Sequence, residues 1–296
     1  MILGIDVGYA NTKVYSKNGT DIFLSTTEEG VNEVNSNAIT VEYKGKKYTI
    51  GEITGSFSTD LNKINDKTFK LCLYTAIARQ MKNSVADIDL VTGLPVEYFK
   101  NQKDELIKSL IGKTVNIVIN DEPKRFTIRN CVVFPQSAGL FILNPKEFED
   151  NDNIVIDIGG VTVDVSAFSG MKLINSNTYE LGMLKLYNKV IQAIKSEYSV
   201  SYDVLAAERI IRSKKIIKDG KTINIEDLIQ NVLRKHAETI IMNIKNGFSE
   251  YDTSNRRFIG GGSYILKDYL PAEINEDDIY TNVKAFYTIG VEKFEG

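Results

Sequence analysis

Two short segments of the chain follow one pattern, and this repetition limits the possible folds more than any other feature. The sequences DVGYANTKV (6–14) and DIGGVTVDV (157–165) each place an acid, an apolar residue and a glycine between an apolar strand and a return strand. The apolar runs before them, 2–5 and 154–156, are short enough for buried strands. Because glycine has no Cβ, backbone amides can approach an anionic ligand there. The pattern predicts two β-hairpins that bind phosphate.

The two predicted hairpins indicate two related halves of the chain that close on one nucleotide. Asp6 and Asp157 open the two loops, and we expect them to hold Mg²⁺ through water between the halves. Gly8 in the first loop, and Gly159 and Gly160 in the second, leave room for phosphate oxygens beside the backbone. The nucleotide cleft is therefore predicted to lie between the halves.

A third glycine-rich segment, RFIGGGSYIL (257–266), places three glycines between a short apolar strand and an amphipathic segment. With the two hairpins, it makes the chain resemble the superfamily of actin, sugar kinases and heat-shock ATPases, whose phosphate and adenosine motifs stand in this order. The segment VVFPQSAG (132–139) resembles the family's first connecting motif, and Gly290 with Lys293-Phe294 resembles its carboxy-terminal return. The resemblance implies an α/β actin-like ATPase fold, in which two related RNase H-like domains flank a nucleotide cleft.

The resemblance also implies roles for side chains at the cleft. Lys13 resembles the phosphate-contacting lysine of the first loop, and Gln136 suits a group that orients water in line with the γ-phosphate. Asp164 resembles an acid that helps to polarise this water, and Asp157 is counted as catalytic as well as metal-binding. A solvated strand lysine and an exposed strand carboxylate stay open as alternatives for Lys13 and Asp164. The other predicted nucleotide contacts are Asn11, Thr162, Glu208, Gly260, Gly261 and Gly262.

Asn11 and Thr162 are expected to donate side-chain hydrogen bonds to phosphate, although polar residues that stabilise a turn have the same appearance in a sequence.

Chain length limits which branches of the superfamily the chain can resemble. A chain of 296 residues has no room for a chaperone's substrate domain. A small sugar kinase of the ROK type would need a zinc-binding cysteine cluster, whereas Cys72 and Cys131 stand alone. The remaining resemblance is to the ParM and Alp-like bacterial actins, through DIGGVTVDV, Glu180-Leu181-Gly182, 207–211 and the 258–266 stretch.

This resemblance implies a filament-forming ATPase or GTPase that polymerises with Mg²⁺-nucleotide and hydrolyses it to make the filament labile. The implied biological role is plasmid segregation, with a DNA-binding adaptor protein that links the filament to a plasmid centromere. Gln136 stands where some ParM proteins carry Glu, and the segment 26–65 has no diagnostic motif. Both departures bear on hydrolysis and on filament geometry.

Two other classes of function stay open. A small-molecule kinase would need a carboxylate to take the proton of its substrate hydroxyl, and the segment 132–143 contains no acid. A non-motile cell-division scaffold would be favoured by an amphipathic membrane anchor, and neither terminal segment has that pattern. The sequence therefore favours the filament over both alternatives.

Composition is consistent with a cytoplasmic protein that contacts neither nucleic acid nor membrane directly. The net charge of −3 gives no global basic field. The chain has no long apolar run, and its amino terminus has the pattern of a strand rather than of a signal peptide. Cys72 and Cys131 are flanked by apolar residues and are predicted to be core residues.

The chain is predicted to divide near residue 150. Domain I (1–150) would carry the first phosphate loop and an insertion at about 26–65, and domain II (151–296) the second phosphate loop and the adenosine loop. The segment at about 280–296 is expected to return to domain I. Asp66 is predicted to cap a helix, and further helices are predicted near 103–111, 182–198, 202–212 and 225–246.

Overall fold

The computed structural model describes residues 1–31, 38–52, 55–57, 63–274 and 279–296. The largest of its three sheets consists of ten strands, which are the first ten in the described residues. They are β1 (Ile2–Val7), β2 (Asn11–Ser16), β3 (Gly19–Leu24), β4 (Thr26–Glu29), β5 (Ile39–Tyr43), β6 (Lys46–Ile50), β7 (Ser56–Phe57), β8 (Val85–Leu94), β9 (Thr114–Ile119) and β10 (Glu122–Pro135).

The strand order in this sheet is β3-β2-β1-β8-β10-β9-β5-β6-β4-β7. Strands β1, β2 and β3 form an antiparallel meander, while β8 runs parallel to both β1 and β10. Both ends of the first phosphate loop are therefore strand ends held in one sheet. Strands β5 and β6 form a further antiparallel hairpin, which turns at Lys44-Gly45.

The second sheet repeats the meander and the parallel fourth strand. Its order is β13-β12-β11-β16, with an antiparallel meander of β11, β12 and β13 and with β16 parallel to β11. This matches the order β3-β2-β1-β8 of the first sheet. The predicted fold class, two related α/β units, is confirmed. The second-sheet strands are β11 (Asp152–Ile158), β12 (Val163–Ser169), β13 (Lys172–Tyr179) and β16 (Asn255–Ile259), and a separate hairpin consists of β14 (Lys215–Lys218) and β15 (Lys221–Asn224).

Nine α-helices lie in the described ranges. Asp66 caps the first of them as predicted, because its side chain accepts a hydrogen bond from the Thr68 amide. No helix in the described ranges is long and apolar enough to cross a membrane. The helices are α1 (Lys67–Gln80), α2 (Val96–Leu110), α3 (Gly139–Leu143), α4 (Pro145–Glu149), α5 (Met183–Tyr198), α6 (Ala207–Ser213), α7 (Glu226–Gly247), α8 (Gly261–Ile265) and α9 (Thr281–Phe294).

One helix prediction is wrong at its start. The helix expected from Tyr202 begins only at Ala207, because Asp203 caps a short 3₁₀ turn, Val204–Ala206, ahead of it. The side chain of Asp203 accepts a hydrogen bond from the Leu205 amide, which fixes this turn before α6. The helix predicted at 103–111 is longer than expected and extends back to Val96.

Each of the two larger sheets has its own hydrophobic core, and α9 packs against the first sheet. The helix packs on β1 and β8 of the first sheet and on α3. Gly4 on β1 lies directly beneath it, where an added Cβ would overlap the carbonyl oxygen of Val283 and stand 2.7 Å from the amide nitrogen of Tyr287. The helix therefore lies against the strand that leads into the first phosphate loop.

We propose that the two domains divide near residue 150, since α4 ends at Glu149 and β11 begins at Asp152. The contacts of α9 support assigning the carboxy-terminal segment to the first domain. Within the predicted insertion at 26–65, β4 to β7 extend the first sheet through the pairing of β5 with β9. Residues 32–37, 53–54 and 58–62 of this segment lie outside the described residues.

We expect Gly4→Ala to lower the free energy of unfolding by about 2 kcal/mol, because the added methyl group would push α9 away from β1. Urea unfolding of the nucleotide-free protein measures this loss. Gly261→Ala is the matched control, because no atom lies within 4 Å of a Cβ built there. Equal unfolding midpoints for the two variants would contradict this packing.

Candidate functional site

The two predicted phosphate loops face each other across a cleft between the sheets. The cleft that they line has a volume of about 1070 Å³, which includes space open to solvent. A Cβ added at Gly160 in the second loop would stand 2.7 Å from both the amide nitrogen and the Cβ of Ala10 in the first loop. Only glycine permits this approach. The loops therefore form two walls of one site.

Both loops have the same local structure. The Gly8 amide donates to the Asn11 carbonyl oxygen at 3.1 Å, and the Gly159 amide donates to the Thr162 carbonyl oxygen at 2.9 Å. The cross-strand register is also the same, because Asp6 lies opposite Lys13 and Asp157 lies opposite Asp164. Equivalent positions thus carry a cation in one hairpin and a second acid in the other.

The two loop aspartates are buried, and each accepts a hydrogen bond from an amide side chain. Gln136 at the end of β10 donates from Nε2 to Asp6 Oδ1 at 2.6 Å. Asn282 at the start of α9 donates from Nδ2 to Asp157 Oδ2, also at 2.6 Å. An ionised carboxylate only accepts hydrogen bonds, which determines the orientation of both amides. The segment that follows β10 therefore positions Asp6, and the start of α9 positions Asp157.

Burial has a clear electrostatic effect on Asp157. Loss of solvation raises the pKa of its carboxyl to about 6, and the charge of Asp6 acts in the same direction. Lys13 and the hydrogen bond from Asn282 lower the pKa but do not offset the burial. Two carboxylates in such a place are stabilised by a cation between them. Within the described ranges, no group of three or more His, Cys, Asp or Glu forms a metal cluster. The metal-binding role of Asp6 and Asp157 stays a prediction.

Asp164 is buried beside the same wall. Its Oδ1 accepts a hydrogen bond from the Thr178 hydroxyl at 2.6 Å, and its Oδ2 accepts one from the Thr162 hydroxyl at 3.0 Å. Burial raises the pKa of Asp164 to about 7; the Thr178 hydrogen bond opposes this rise, and the charge of Asp157 adds to it. Near neutral pH this carboxyl is therefore able to give up or accept a proton.

The glycine-rich segment after β16 forms the opposite end of the cleft. Gly260 has φ of +86°, and a Cβ there would overlap Asp157 Oδ1, so both backbone conformation and space require glycine. Gly261 and Gly262 line the cleft beside it. Glu208 lines this end too and is fixed by two neighbours, since Tyr187 donates to its Oε2 at 3.2 Å and Arg212 to its Oε1 at 2.8 Å.

All the predicted site residues are brought to this cleft or to its edge, while the roles assigned to them stay predictions. Gly260 is the one that does not line the cleft, and it packs against Asp157 instead. The lining residues among those predicted are Asp6, Gly8, Asn11, Lys13, Gln136, Asp157, Gly159, Gly160, Thr162, Asp164, Glu208, Gly261 and Gly262.

Sequence reasoning missed several side chains that the fold adds to the site. Lys63 and Asn282 come from segments without a motif, so nothing in the sequence pointed to them. Thr178 lies opposite Asp164 on the neighbouring strand, and a prediction of the β12–β13 register would have found it. Lys63 and Asn282 were missed because long-range packing brings them to the site, and a local sequence pattern does not encode such packing.

Two related α/β units around a shared cleft, with a phosphate hairpin from each, define a protein of the actin-like class. Residues 4–139 match the model of the actin like proteins N terminal domain, and residues 155–272 match the model of the archaeal actin homologue MreB-like C-terminal domain. The chain therefore belongs to the actin-like proteins, as the motifs predicted. An archaeal actin homolog of Thermoplasma acidophilum is 24% identical, over 90% of this chain and 89% of the relative.

Solved structures show the same fold over nearly the whole chain. An archaeal actin homolog in complex with ADP superimposes with a TM-score of 0.84 at 21% identity and covers 99% of both chains. A 15-stranded ParM filament from Clostridium botulinum gives a TM-score of 0.83 at 21% identity, with 98% of this chain and 99% of that chain covered. At these identities the comparison establishes the fold.

The raised pKa of Asp164 predicts a pH-dependent stability of the nucleotide-free protein. Between about pH 4 and 7 the folded state binds more protons at this carboxyl than the unfolded state, so the free energy of unfolding falls as pH rises. The stabilisation is complete below the ordinary pKa of 3.8 and is lost as pH rises through about 7. In Asp164→Asn, the urea midpoint should therefore change less between about pH 5 and 8.

Asp121→Asn, in an exposed turn, serves as the control for the loss of one carboxyl. Urea unfolding at four pH values distinguishes the variants. A wild-type slope in Asp164→Asn, or the same flattening in the control, would contradict the assignment of the pH dependence to this buried group.

Proposed function

We propose that this chain is a filament-forming actin-like protein that binds Mg²⁺ with ATP or GTP and hydrolyses the nucleotide. The observation that carries the proposal is the approach of Gly160 to Ala10, which sets two phosphate hairpins and two buried aspartates around one cleft. A nucleotide would lie with its phosphates between the hairpins and its nucleoside beside Gly261, Gly262 and Glu208. An archaeal actin homolog of the same fold was solved in complex with ADP, which supports nucleotide binding in the proposal.

The donor set around the two aspartates fits Mg²⁺. Magnesium keeps several waters and is usually bound by one or two carboxylates together with substrate phosphates, so a larger acidic cluster is not required. Asp6 and Asp157 each have one carboxylate oxygen hydrogen-bonded to a side-chain amide, and this hydrogen bond fixes the orientation of the carboxylate. When bound, the ion neutralises charge on the phosphates of the nucleotide.

Hydrolysis requires a water in line with the terminal phosphate and a group that orients it. We assign the orienting role to Gln136, which lies beside Asp6 on the cleft wall. Asp164 is the proton acceptor in this proposal, because a carboxyl with a pKa of about 7 is partly ionised at neutral pH. Lys13 and the backbone of the two loops hold the phosphates, and Asn11 and Thr162 add hydroxyl and amide donors.

Glu208 completes the nucleoside end. Tyr187 and Arg212 hold its carboxylate in place, and a fixed carboxylate accepts hydrogen bonds from ribose hydroxyls.

In the cell, the proposed filament segregates plasmids in the cytoplasm. Subunits that meet head to tail through different surfaces continue into an open polymer, and a nucleotide that closes the cleft favours that contact. The net charge of −3 leaves contact with DNA to a separate adaptor protein that binds the plasmid. The 15-stranded ParM filament among the structurally similar proteins supports the filament in this proposal.

Gln136→Ala should slow phosphate release by about a hundredfold, with little change in nucleotide affinity, because it removes the water-orienting group and leaves the phosphate contacts. Single-turnover phosphate release and nucleotide titration separate the two effects. Gln230→Ala, on the exposed face of α7, is the matched control. A normal rate, or a loss confined to nucleotide affinity, would show that Gln136 has a different role.

Light scattering should rise when ATP or GTP is added with Mg²⁺, only above a critical concentration, and should decay as phosphate is released. Electron microscopy of the same samples checks that the scattering comes from filaments. A protein that stays monomeric but phosphorylates a sugar or another small alcohol would support the kinase alternative. Stable filaments without phosphate release would support the cell-division scaffold.

A further inference from the structure

Lys63 is a buried cation that the proposed mechanism does not yet use. Its side chain is 3% exposed and lies on the wall of the nucleotide cleft, although it comes from the segment just before α1 rather than from either phosphate loop. Burying an ammonium group is costly unless charges or acceptors compensate it. Its surroundings therefore indicate what this lysine binds.

The protein supplies only part of that compensation. The Lys63 ammonium donates to the Val7 carbonyl oxygen at 2.8 Å and lies 5.5 Å and 5.6 Å from the ring centroids of Tyr9 and Phe69. An ammonium has three donors, and the ring faces attract its charge without accepting a full hydrogen bond. Among the described residues no carboxylate lies within ion-pair distance of it. Burial accordingly lowers the pKa of Lys63.

The position of Lys63 identifies one end of the cleft. Three acids act on it through their charges: Asp6 and Asp164, which lie beside the proposed metal and the proposed attacking water, and Asp66, the cap of α1. Lys63 lines the cleft together with Asp6 and Asp164. An anion that compensates Lys63 would therefore lie at the reacting end of the nucleotide, where the terminal phosphate is placed.

We propose that Lys63 binds the terminal phosphoryl group of a nucleoside triphosphate and thereby distinguishes it from the diphosphate. This inference rests on the proposed function and adds a residue that no motif indicated. A diphosphate leaves the ammonium with Val7 as its only strong acceptor, whereas a triphosphate supplies oxygens for the two remaining donors. Because Lys63 stands just before Asp66, the cap of α1, the contact would also link the terminal phosphate to the start of that helix.

Nucleotide affinity tests the inference directly. We expect Lys63→Met to weaken binding of a non-hydrolysable ATP or GTP analogue by about ten- to a hundredfold, the range for a lost charge-assisted hydrogen bond. Binding of the diphosphate should weaken by less than about threefold. Competition against a fluorescent nucleotide, at fixed Mg²⁺ and below the polymerisation threshold, measures both affinities. Lys63→Arg should keep most of the preference, and Lys70→Met on α1 should bind like the wild type.

Stability of the nucleotide-free protein separates binding from a structural role. Methionine fills the apolar space beside Tyr9 and Phe69 without a buried charge, so Lys63→Met should unfold at the same urea concentration as the wild type or at a higher one. A less stable variant that binds both nucleotides equally poorly would show that Lys63 only supports the fold, and unchanged affinities would also overturn the inference. If the wild-type protein binds neither nucleotide, the proposed function itself fails, and the role of Lys63 with it.

Discussion

The close approach of the two phosphate hairpins is the constraint on which the site depends. At Gly160 and Ala10 the loops are near enough that a methyl group would not fit, and this approach places Asp6 and Asp157 in one buried pocket. Buried carboxylates are costly without hydrogen bonds or a cation. Because the loops bury both carboxylates, the site needs the hydrogen bonds from the Gln136 and Asn282 amides and the positive charge of nearby lysines.

The two hairpins share one geometry but differ in the side chains that they place at the cleft. Both hairpins have the same closing hydrogen bond and the same cross-strand register. Lys13 faces Asp6 in one hairpin, but Asp164 faces Asp157 in the other, where burial and the second acid raise the pKa of Asp164 to about 7. The same position thus carries a cation in one hairpin and an acid in the other, and the roles proposed for Lys13 and Asp164 rest on this difference.

Two segments next to the first sheet donate hydrogen bonds to Asp6 and Asp157. Gln136 directly follows β10 and Asn282 lies in the first turn of α9, and each donates a hydrogen bond of 2.6 Å to one aspartate. Because α9 also packs on β1, a change in the angle between the sheets would change the position of both carboxylates. The proposed binding of nucleotide would therefore be linked to the arrangement of the two halves through these short hydrogen bonds.

The sequence by itself determined the fold class, the family and most of the residues at the cleft. Short apolar strands, an acid and a glycine at fixed spacing are local features, and both hairpins formed as their patterns predicted. The tertiary structure alone decided that Lys63 and Asn282 reach the cleft and that Thr178 hydrogen-bonds Asp164. The contacts of Lys63 and Asn282 join segments far apart in the chain, whereas Thr178 reaches Asp164 from the neighbouring strand. Packing of the sheets and of α9 sets the geometry of these contacts. A local pattern specifies a loop, whereas burial and charge at the site arise only when the loops meet.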